Sequence, residues 1–184
     1  MVNTEFTPNP DTLKFLPGKK VSEIGPVEFL KNDKTNKTPL ANKILSLEGT
    51  VMVFFGEDFI TVKKEKNLNW DTLKHGIISE INDYYSKGND VAIKKDLNNK
   101  VSSSTTIQSS EVINKINEVL NSKVRPAVAK DGGDITFKSF KDGVVTVELK
   151  GSCSGCPSSI MTLKQGVQNL LCHYVPEVKS VEAF

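Results

Sequence analysis

The chain has 184 residues, of which 38% are hydrophobic and 25% are charged, and its net charge is +2. This length suits one or two domains, and the composition is typical of a soluble globular protein. The balanced charge argues against binding to nucleic acid or to an anionic membrane. No stretch approaches the roughly 20 consecutive apolar residues that a membrane-spanning helix needs.

The N-terminal sequence indicates neither a signal peptide nor an intact mitochondrial transit segment. The longest apolar run near this end is Phe15-Leu16, and the first residues contain Glu5 and Asp11 but no Arg. A transit segment that had already been removed would leave the same sequence. We therefore expect a bacterial cytoplasmic protein or a processed protein of the mitochondrial matrix.

The first half of the chain predicts a small α+β domain. Apolar runs bounded by Pro and Gly predict strands, and apolar residues at helical spacing predict helices. The sequence Gly56-Glu57-Asp58 between two apolar runs indicates a β-hairpin. In chain order the predicted elements are strands at 12–16 and 27–30, a helix at 39–47, paired strands at 51–55 and 59–62, and a helix at 70–86.

A polar segment separates the two halves. Residues 86–110 contain many Ser, Asn, Thr and Lys residues and no aromatic residue, so they bury too little apolar surface to offset the entropy cost of ordering. We predict two small α+β domains joined by a flexible linker. The domains span residues 1–88 and 109–184, and the linker spans 89–108, although the apolar run 91–93 is able to form a last short strand.

The second half predicts a helix, a hairpin, a cysteine-containing loop, a second helix and a final strand. Apolar residues at helical spacing over 112–120 predict the first helix, which Arg125-Pro126 is expected to interrupt. The dipeptide Asp142-Gly143 is a strong hairpin signal. The other predicted elements are strands at 135–140 and 145–149, a helix at 157–174 and a strand at 178–184.

Two of the three cysteines form a Cys-x-x-Cys pair, Cys153 and Cys156. An odd number of cysteines in a chain of this kind favours metal binding or redox chemistry over a disulfide scaffold. Gly155 between them permits a positive backbone φ in a tight turn. Because Cys156 precedes Pro157, it is predicted to lie at a helix N-terminus, where both thiols are expected to have lowered pKa values.

The spacing alone leaves several kinds of site open. A structural zinc site needs four ligands, usually two Cys-x-x-Cys pairs, and the chain has only one such pair. A thiol–disulfide motif is expected after a strand of a parallel-type fold, whereas here a hairpin precedes the pair. Two unrelated buried cysteines are a further alternative. An iron–sulfur cluster is held by four thiolates, so two copies of the chain related by twofold symmetry would supply a full set.

Longer motifs surround these elements in both halves of the chain. The second half contains Arg125-Pro126-Ala127, Asp131-Gly132-Gly133-Asp134, Gly151-Ser152-Cys153-Ser154-Gly155-Cys156-Pro157-Ser158-Ser159, Thr162-Leu163-Lys164-Gln165-Gly166-Val167 and Pro176-Glu177-Val178. This half resembles the C-terminal domain of NifU, the Nfu-type iron–sulfur scaffold or carrier module.

The first half contains Thr7-Pro8-Asn9-Pro10, Leu13-Lys14-Phe15-Leu16-Pro17-Gly18, Pro39-Leu40-Ala41, Val53-Phe54-Phe55-Gly56 and Asp58-Phe59-Ile60-Thr61-Val62. It resembles the N-terminal domain that is often joined to that module.

The resemblance implies assembly or transfer of iron–sulfur clusters, with no enzymatic turnover and no catalytic residue. Cys153 and Cys156 would bind a cluster that bridges two subunits, generally of the 4Fe–4S type, with 2Fe–2S as the alternative. The implied partners are a second copy of the chain, upstream cluster assembly proteins and apo target proteins. The N-terminal domain has no cysteine and is implied to be an interaction domain. A thiol–disulfide oxidoreductase and a zinc-stabilised interaction protein are the competing functions.

The remaining polar candidates are predicted to be structural. Cys172 lies near the end of the helix at 157–174, and we expect it to be buried or half-buried there. His75 and His173 have no partner at ligand spacing and are expected at the surface. The sequence Asp131-Gly132-Gly133-Asp134 is predicted to be a turn between a helix and a strand.

Overall fold

The N-terminal domain is built on a five-stranded antiparallel sheet with the strand order β1-β2-β5-β4-β3. The computed structural model describes residues 1–33, 38–95 and 111–184. The strands are β1 (Asn3–Phe6), β2 (Thr12–Leu16), β3 (Val27–Leu30), β4 (Thr50–Phe55) and β5 (Ile60–Lys64), and the helices are α1 (Pro39–Ser46) and α2 (Trp70–Ser86).

The sheet of this domain has two buried faces. Side chains alternate between the faces of a strand, so Val53 and Phe55 point to one side and Met52 and Phe54 to the other. Val53 and Phe55 pack in the core that includes α1 and α2. Met52 and Phe54 pack instead with Phe59 and with Ala129 of the C-terminal half. The sheet therefore separates the helices from the second domain.

The predicted elements of the first half are confirmed, and the structure adds β1, whose single apolar residue, Phe6, gives no strand pattern. Thr38 and Asn69 accept hydrogen bonds from amides in the first turns of α1 and α2, and Pro39 occupies the start of α1. The predicted hairpin is formed by β4 and β5, with Phe55 paired to Ile60.

The packing of the first half extends past residue 88. Ala92 and Ile93 belong to the N-terminal core, and the Ala92 amide donates to the Val21 carbonyl at 2.9 Å. The predicted linker at 89–108 thus begins with residues that are packed, while residues 96–110 lie outside the described residues. The domain limits stay a prediction.

The C-terminal domain has a three-stranded sheet in the order β6-β7-β8, with β8 parallel to β7. Asp142 and Gly143 join the first two strands with φ angles of 53° and 82°, as a tight hairpin turn requires. The elements are α3 (Glu111–Val119), α4 (Arg125–Lys130), β6 (Gly133–Lys141), β7 (Val144–Gly151), α5 (Pro157–Tyr174) and β8 (Ser180–Ala183).

The expected interruption at Arg125-Pro126 is wrong. A π-helical turn at Leu120–Val124 joins α3 to α4, and the Arg125 amide donates to the Leu120 carbonyl five residues earlier. Proline has no amide hydrogen and its ring collides with the carbonyl four residues before it in a regular helix. A wider turn before Pro126 accommodates the ring, and the helical path continues to Lys130.

Candidate metal centre

The loop that carries the cysteine pair connects β7 to α5. Residues 152–155 form a turn, in which the Ser154 amide and hydroxyl both donate to the Gly151 carbonyl, at 3.2 and 2.9 Å. Gly155 has a φ of 73°, as the sequence predicts. The turn brings Cys153 and Cys156 to the same short loop, and neither forms a disulfide.

Cys156 occupies the position before the first turn of α5, with Pro157 as the first helical residue, as predicted. Its side chain makes no capping hydrogen bond to the helix, and its carbonyl accepts from the Ile160 amide at 2.9 Å. The unpaired amides of a helix start carry partial positive charge. This end of α5 therefore favours a negatively charged group bound at the loop.

The Asp131–Asp134 segment is a turn followed by the start of β6, as predicted, and it lies directly against the loop. A Cβ on Gly133 would stand 2.8 Å from the Cys153 Sγ, and a Cβ on Gly151 would stand 2.6 Å from the Gly132 carbonyl oxygen. Both distances are too short for real contacts, so the two glycines are required by the close approach of the chains. The Ser152 hydroxyl donates to the Asp131 carbonyl across this contact.

Asp134 at the start of β6 is held by a bidentate ion pair. Its two carboxylate oxygens accept from Nε and Nη2 of Arg125, both at 2.9 Å. Such pairs are geometrically specific, and Asp134 is only 6% exposed. The pair ties α4 to β6 and so fixes the turn that supports Cys153.

Cys153 lies in an apolar environment that the sequence did not indicate. Its side chain belongs to the core of the C-terminal domain, and it adjoins a cavity of about 450 Å³ between the π-helical turn, α4 and α5. Burial raises the pKa of the Cys153 thiol, and the carboxylates of Asp131 and Asp134 add to the rise. The predicted lowering of the pKa is therefore wrong for Cys153 in this arrangement.

Side chains of the N-terminal domain cover the loop and the turn beside it. We define the docking face as Asn9, Lys14, Glu28, Phe54, Thr61 and Lys63. In the part of the chain that the structure describes, five hydrogen bonds join this face to main-chain groups of the C-terminal domain. They are Asn9 Nδ2 to Ser152 O at 3.1 Å, Lys14 Nζ to Lys130 O at 3.2 Å, Thr61 Oγ1 to Gly132 O at 2.7 Å, Lys63 Nζ to Ser154 O at 3.4 Å and Gly151 N to Glu28 Oε2 at 2.8 Å.

The other candidate ligands are remote from this loop or exposed. Cys172 is half-buried beside the C-terminal core, and His75 and His173 are exposed, as predicted. Within residues 1–33, 38–95 and 111–184, no three or more His, Cys, Asp or Glu side chains are grouped as a metal site. Over the same residues, no helix has the length and apolar character to cross a bilayer. Among the described residues, Cys153 and Cys156 therefore stand as two candidate ligands with no third grouped beside them.

Comparisons with known proteins match both halves of the chain. The family model described as "Scaffold protein Nfu/NifU N terminal" matches residues 2–88, and the model described as "NifU-like domain" matches residues 116–182. The chain is 43% identical to the human mitochondrial "NFU1 iron-sulfur cluster scaffold homolog" over 182 residues, which cover 98% of this chain and 70% of that protein.

A second curated relative and a solved structure are also similar to this chain. The mitochondrial NifU-like protein 4 of Arabidopsis thaliana is 43% identical over 183 residues, covering 98% of this chain and 65% of that protein. The solution structure of a NifU-like protein from Saccharomyces cerevisiae is 25% identical, with a TM-score of 0.47, over 52% of this chain and 86% of that one. The two family models and the level of identity establish that the chain belongs to the Nfu family of NifU-like iron–sulfur cluster scaffold proteins.

Proposed function

We propose that this chain carries an iron–sulfur cluster on Cys153 and Cys156, and that two copies of the chain share each cluster. The observation that supports the proposal is the ligand count at the loop. The pair has no third ligand grouped with it among the described residues, whereas a cluster takes four thiolates. A twofold dimer would bring two pairs together and complete the set.

The chemistry of the loop suits this cargo. Thiolates are the preferred ligands of iron–sulfur clusters, and the start of α5 offers amides that stabilise the negative charge of the liganded cluster. We propose the 4Fe–4S type, with 2Fe–2S as the alternative. Ligands divided between two chains would separate when the dimer opens, which suits a protein that gives its cluster away.

We propose transfer by thiolate exchange, without enzymatic turnover. A cysteine thiolate of an apo protein binds a cluster iron as the Cys153 or Cys156 thiolate leaves it. Each exchange conserves the ligand number and the charge and moves no electron, so the cluster passes intact. Upstream assembly proteins would supply it, and because the human and Arabidopsis relatives are named as mitochondrial, we propose the mitochondrial matrix, with a bacterial cytoplasm as the alternative.

Anaerobic reconstitution of the full chain with iron and sulfide tests this function. We expect a dimer by native mass spectrometry with about two iron atoms per chain for a shared 4Fe–4S cluster. Cys153→Ser or Cys156→Ser should abolish the cluster, because each removes two of the four thiolates from the dimer. Iron, sulfide and mass are measured on each protein.

Cys172→Ala is the matched control, since it removes a thiol outside the loop and should keep the cluster. A cluster on monomers, or one that survives Cys153→Ser, would contradict the bridged arrangement. Bound zinc with no iron would favour the zinc-stabilised interaction protein. Insulin reduction that depends on Cys156 would favour the thiol–disulfide oxidoreductase.

A further inference from the structure

Four residues of the docking face form a row across the N-terminal sheet. Glu28 pairs with Phe54, Phe54 with Thr61, and Thr61 with Lys14, so the row crosses β3, β4, β5 and β2. Directly paired residues point to the same side of a sheet. This row lies on the side opposite α1 and α2, and it is the side that meets the cysteine loop.

The contact between the row and the loop is specific to a backbone conformation. Every C-terminal partner in the five hydrogen bonds is a carbonyl or an amide of the main chain. Two of the partners, Ser152 and Ser154, belong to the loop and flank Cys153, and a third, Gly151, is the last residue of β7 before it. The docking face therefore makes all five hydrogen bonds only when the C-terminal backbone has the conformation that places these carbonyls and this amide side by side.

The same contact is tightly packed, against both an aromatic ring and a lysine side chain. A Cβ on Gly151 would stand 3.2 Å from Cδ1 of Phe54, and one on Gly155 would stand 3.0 Å from Nζ of Lys63. Ala129 packs against the cluster of Met52, Phe54 and Phe59. Thr61 has no solvent exposure, and the Gly132 carbonyl that accepts from its hydroxyl also accepts from the Ser152 amide at 3.2 Å. Water has no access to this part of the contact.

Both cysteines have little solvent exposure in this arrangement. Cys153 is 5% exposed and Cys156 is 9% exposed. A cluster shared by two chains needs both thiols of each chain to reach a second loop. In this structure the docking face contacts that same loop. It therefore occupies space that a second copy of the loop would need.

We propose that the N-terminal domain is the resting partner of the cysteine loop, and that the loop must leave the docking face before two copies share a cluster. The release step is a regulatory one: any protein that binds the docking face more tightly than the loop does would expose the cysteine pair. The part of the proposal that concerns dimers rests on the proposed function, whereas the covering of the loop is tested on metal-free protein.

Thiol alkylation of the metal-free full chain measures the covering. Thr61→Val keeps the shape and strand preference of the side chain but removes the donor to the Gly132 carbonyl. Iodoacetamide reacts with thiols in the open form, so its rate follows the open population. We expect Cys153 and Cys156 to react about tenfold faster in the variant, with Cys172 unchanged as the internal reference.

Thr50→Val is the matched control. Thr50 is also fully buried, but its hydroxyl donates to the carbonyls of Ile44 and Leu47 inside the N-terminal domain. This variant loses a buried hydrogen bond and should leave the alkylation rates of Cys153 and Cys156 as they are in the parent.

Asn9→Asp is the second test variant, because it keeps the acceptor oxygen for the Asp11 amide and loses the donor to Ser152. Equal rates in the parent and in a folded Thr61→Val or Asn9→Asp protein would refute the proposal.

Cluster loading separates this proposal from the proposed function. Thr61→Val should acquire the cluster faster than the parent and reach the same iron content per chain. Faster alkylation with no cluster in any variant would refute the carrier function and leave the covered loop standing. A shared cluster that forms at equal rates in parent and variant would refute the release step and leave the carrier function standing.

Discussion

The two domains bury different kinds of side chain. The N-terminal core lies between two helices and one face of the sheet. It contains fully buried aromatic residues, among them Phe15 and Phe55. The C-terminal core is aliphatic where it is deepest, as at Ile116 and Leu171, and its phenylalanines are only partly buried. Cys153, a proposed ligand, is part of that second core. Among the described residues, the core of the domain with the proposed site therefore contains no fully buried aromatic side chain.

The domains also contribute different groups to their contact. The N-terminal domain provides side chains, and the C-terminal domain provides main-chain groups in a segment rich in glycine. Glycine at such positions allows close approach but costs conformational entropy when it is ordered. The hydrogen bonds from the N-terminal domain therefore offset part of the entropy cost of ordering this glycine-rich segment.

The largest effect should come from truncating each core in turn. Phe55→Ala should lower the free energy of unfolding of the N-terminal domain by about 3–5 kcal/mol, and Leu171→Ala that of the C-terminal domain by about 2–5 kcal/mol. The single tryptophan, Trp70, begins α2 and reports on the N-terminal domain alone. In urea titrations its fluorescence transition should shift strongly in Phe55→Ala and little in Leu171→Ala. Equal shifts would mean that the two cores unfold as one.

The next effect concerns the glycine beneath the docking face. Gly151→Ala places a Cβ 2.6 Å from the Gly132 carbonyl oxygen at a φ of 70°, so it should cost about 2–3 kcal/mol. Gly166→Ala is the control in the same domain: it lies within α5 with open space around it and should gain about 0.5–1 kcal/mol. Thermal unfolding followed by circular dichroism measures both. A Gly151→Ala protein as stable as the parent would contradict the close approach.

The smallest effect is the pH dependence of Glu28. Burial raises the pKa of this carboxyl above its usual 4.5, against the opposing hydrogen bond from the Gly151 amide and the charges of Lys150 and Lys63. The folded chain therefore binds the proton more tightly, and stability from this group is present below pH 4.5 and lost as pH rises through the folded pKa.

Glu28→Gln tests that sign, because it keeps an oxygen acceptor and has no charge to desolvate. At pH 7 it should be more stable than the parent by about 0.5 kcal/mol, and the difference should vanish in acid. Urea titrations at several pH values measure it. A variant that is less stable than the parent at pH 7 would show that the ionised carboxylate favours the contact.

Much of the fold was predictable from local patterns. The helix at 70–86, the helix at 157–174 and the Asp142-Gly143 turn are set by neighbours in sequence, and the structure confirms them. The π-helical turn was not predictable in this way, because Pro126 permits either a break or a widened turn. The parallel pairing of β8 with β7 depends on how α5 crosses the sheet, which a strand pattern does not contain.

The sequence predicted the chemistry of the candidate site but not its surroundings. The position of Cys156 follows from Pro157, and the φ of Gly155 follows from the turn. The burial of Cys153 depends on the core of the C-terminal domain, so helix-end reasoning gave the wrong direction for its pKa. One signal was available: the run at 51–55 is apolar without alternation, which is typical of a strand buried on both faces.

The order of the two domains along the chain has a consequence for synthesis. Translation proceeds from the amino end, and domains generally fold as units with the N-terminal one first. All residues of the docking face are therefore made before Cys153 and Cys156. A nascent thiol is open to oxidation for as long as it stays exposed. Because the receiving surface already exists when the thiols emerge, the interval between making the pair and sheltering it is short.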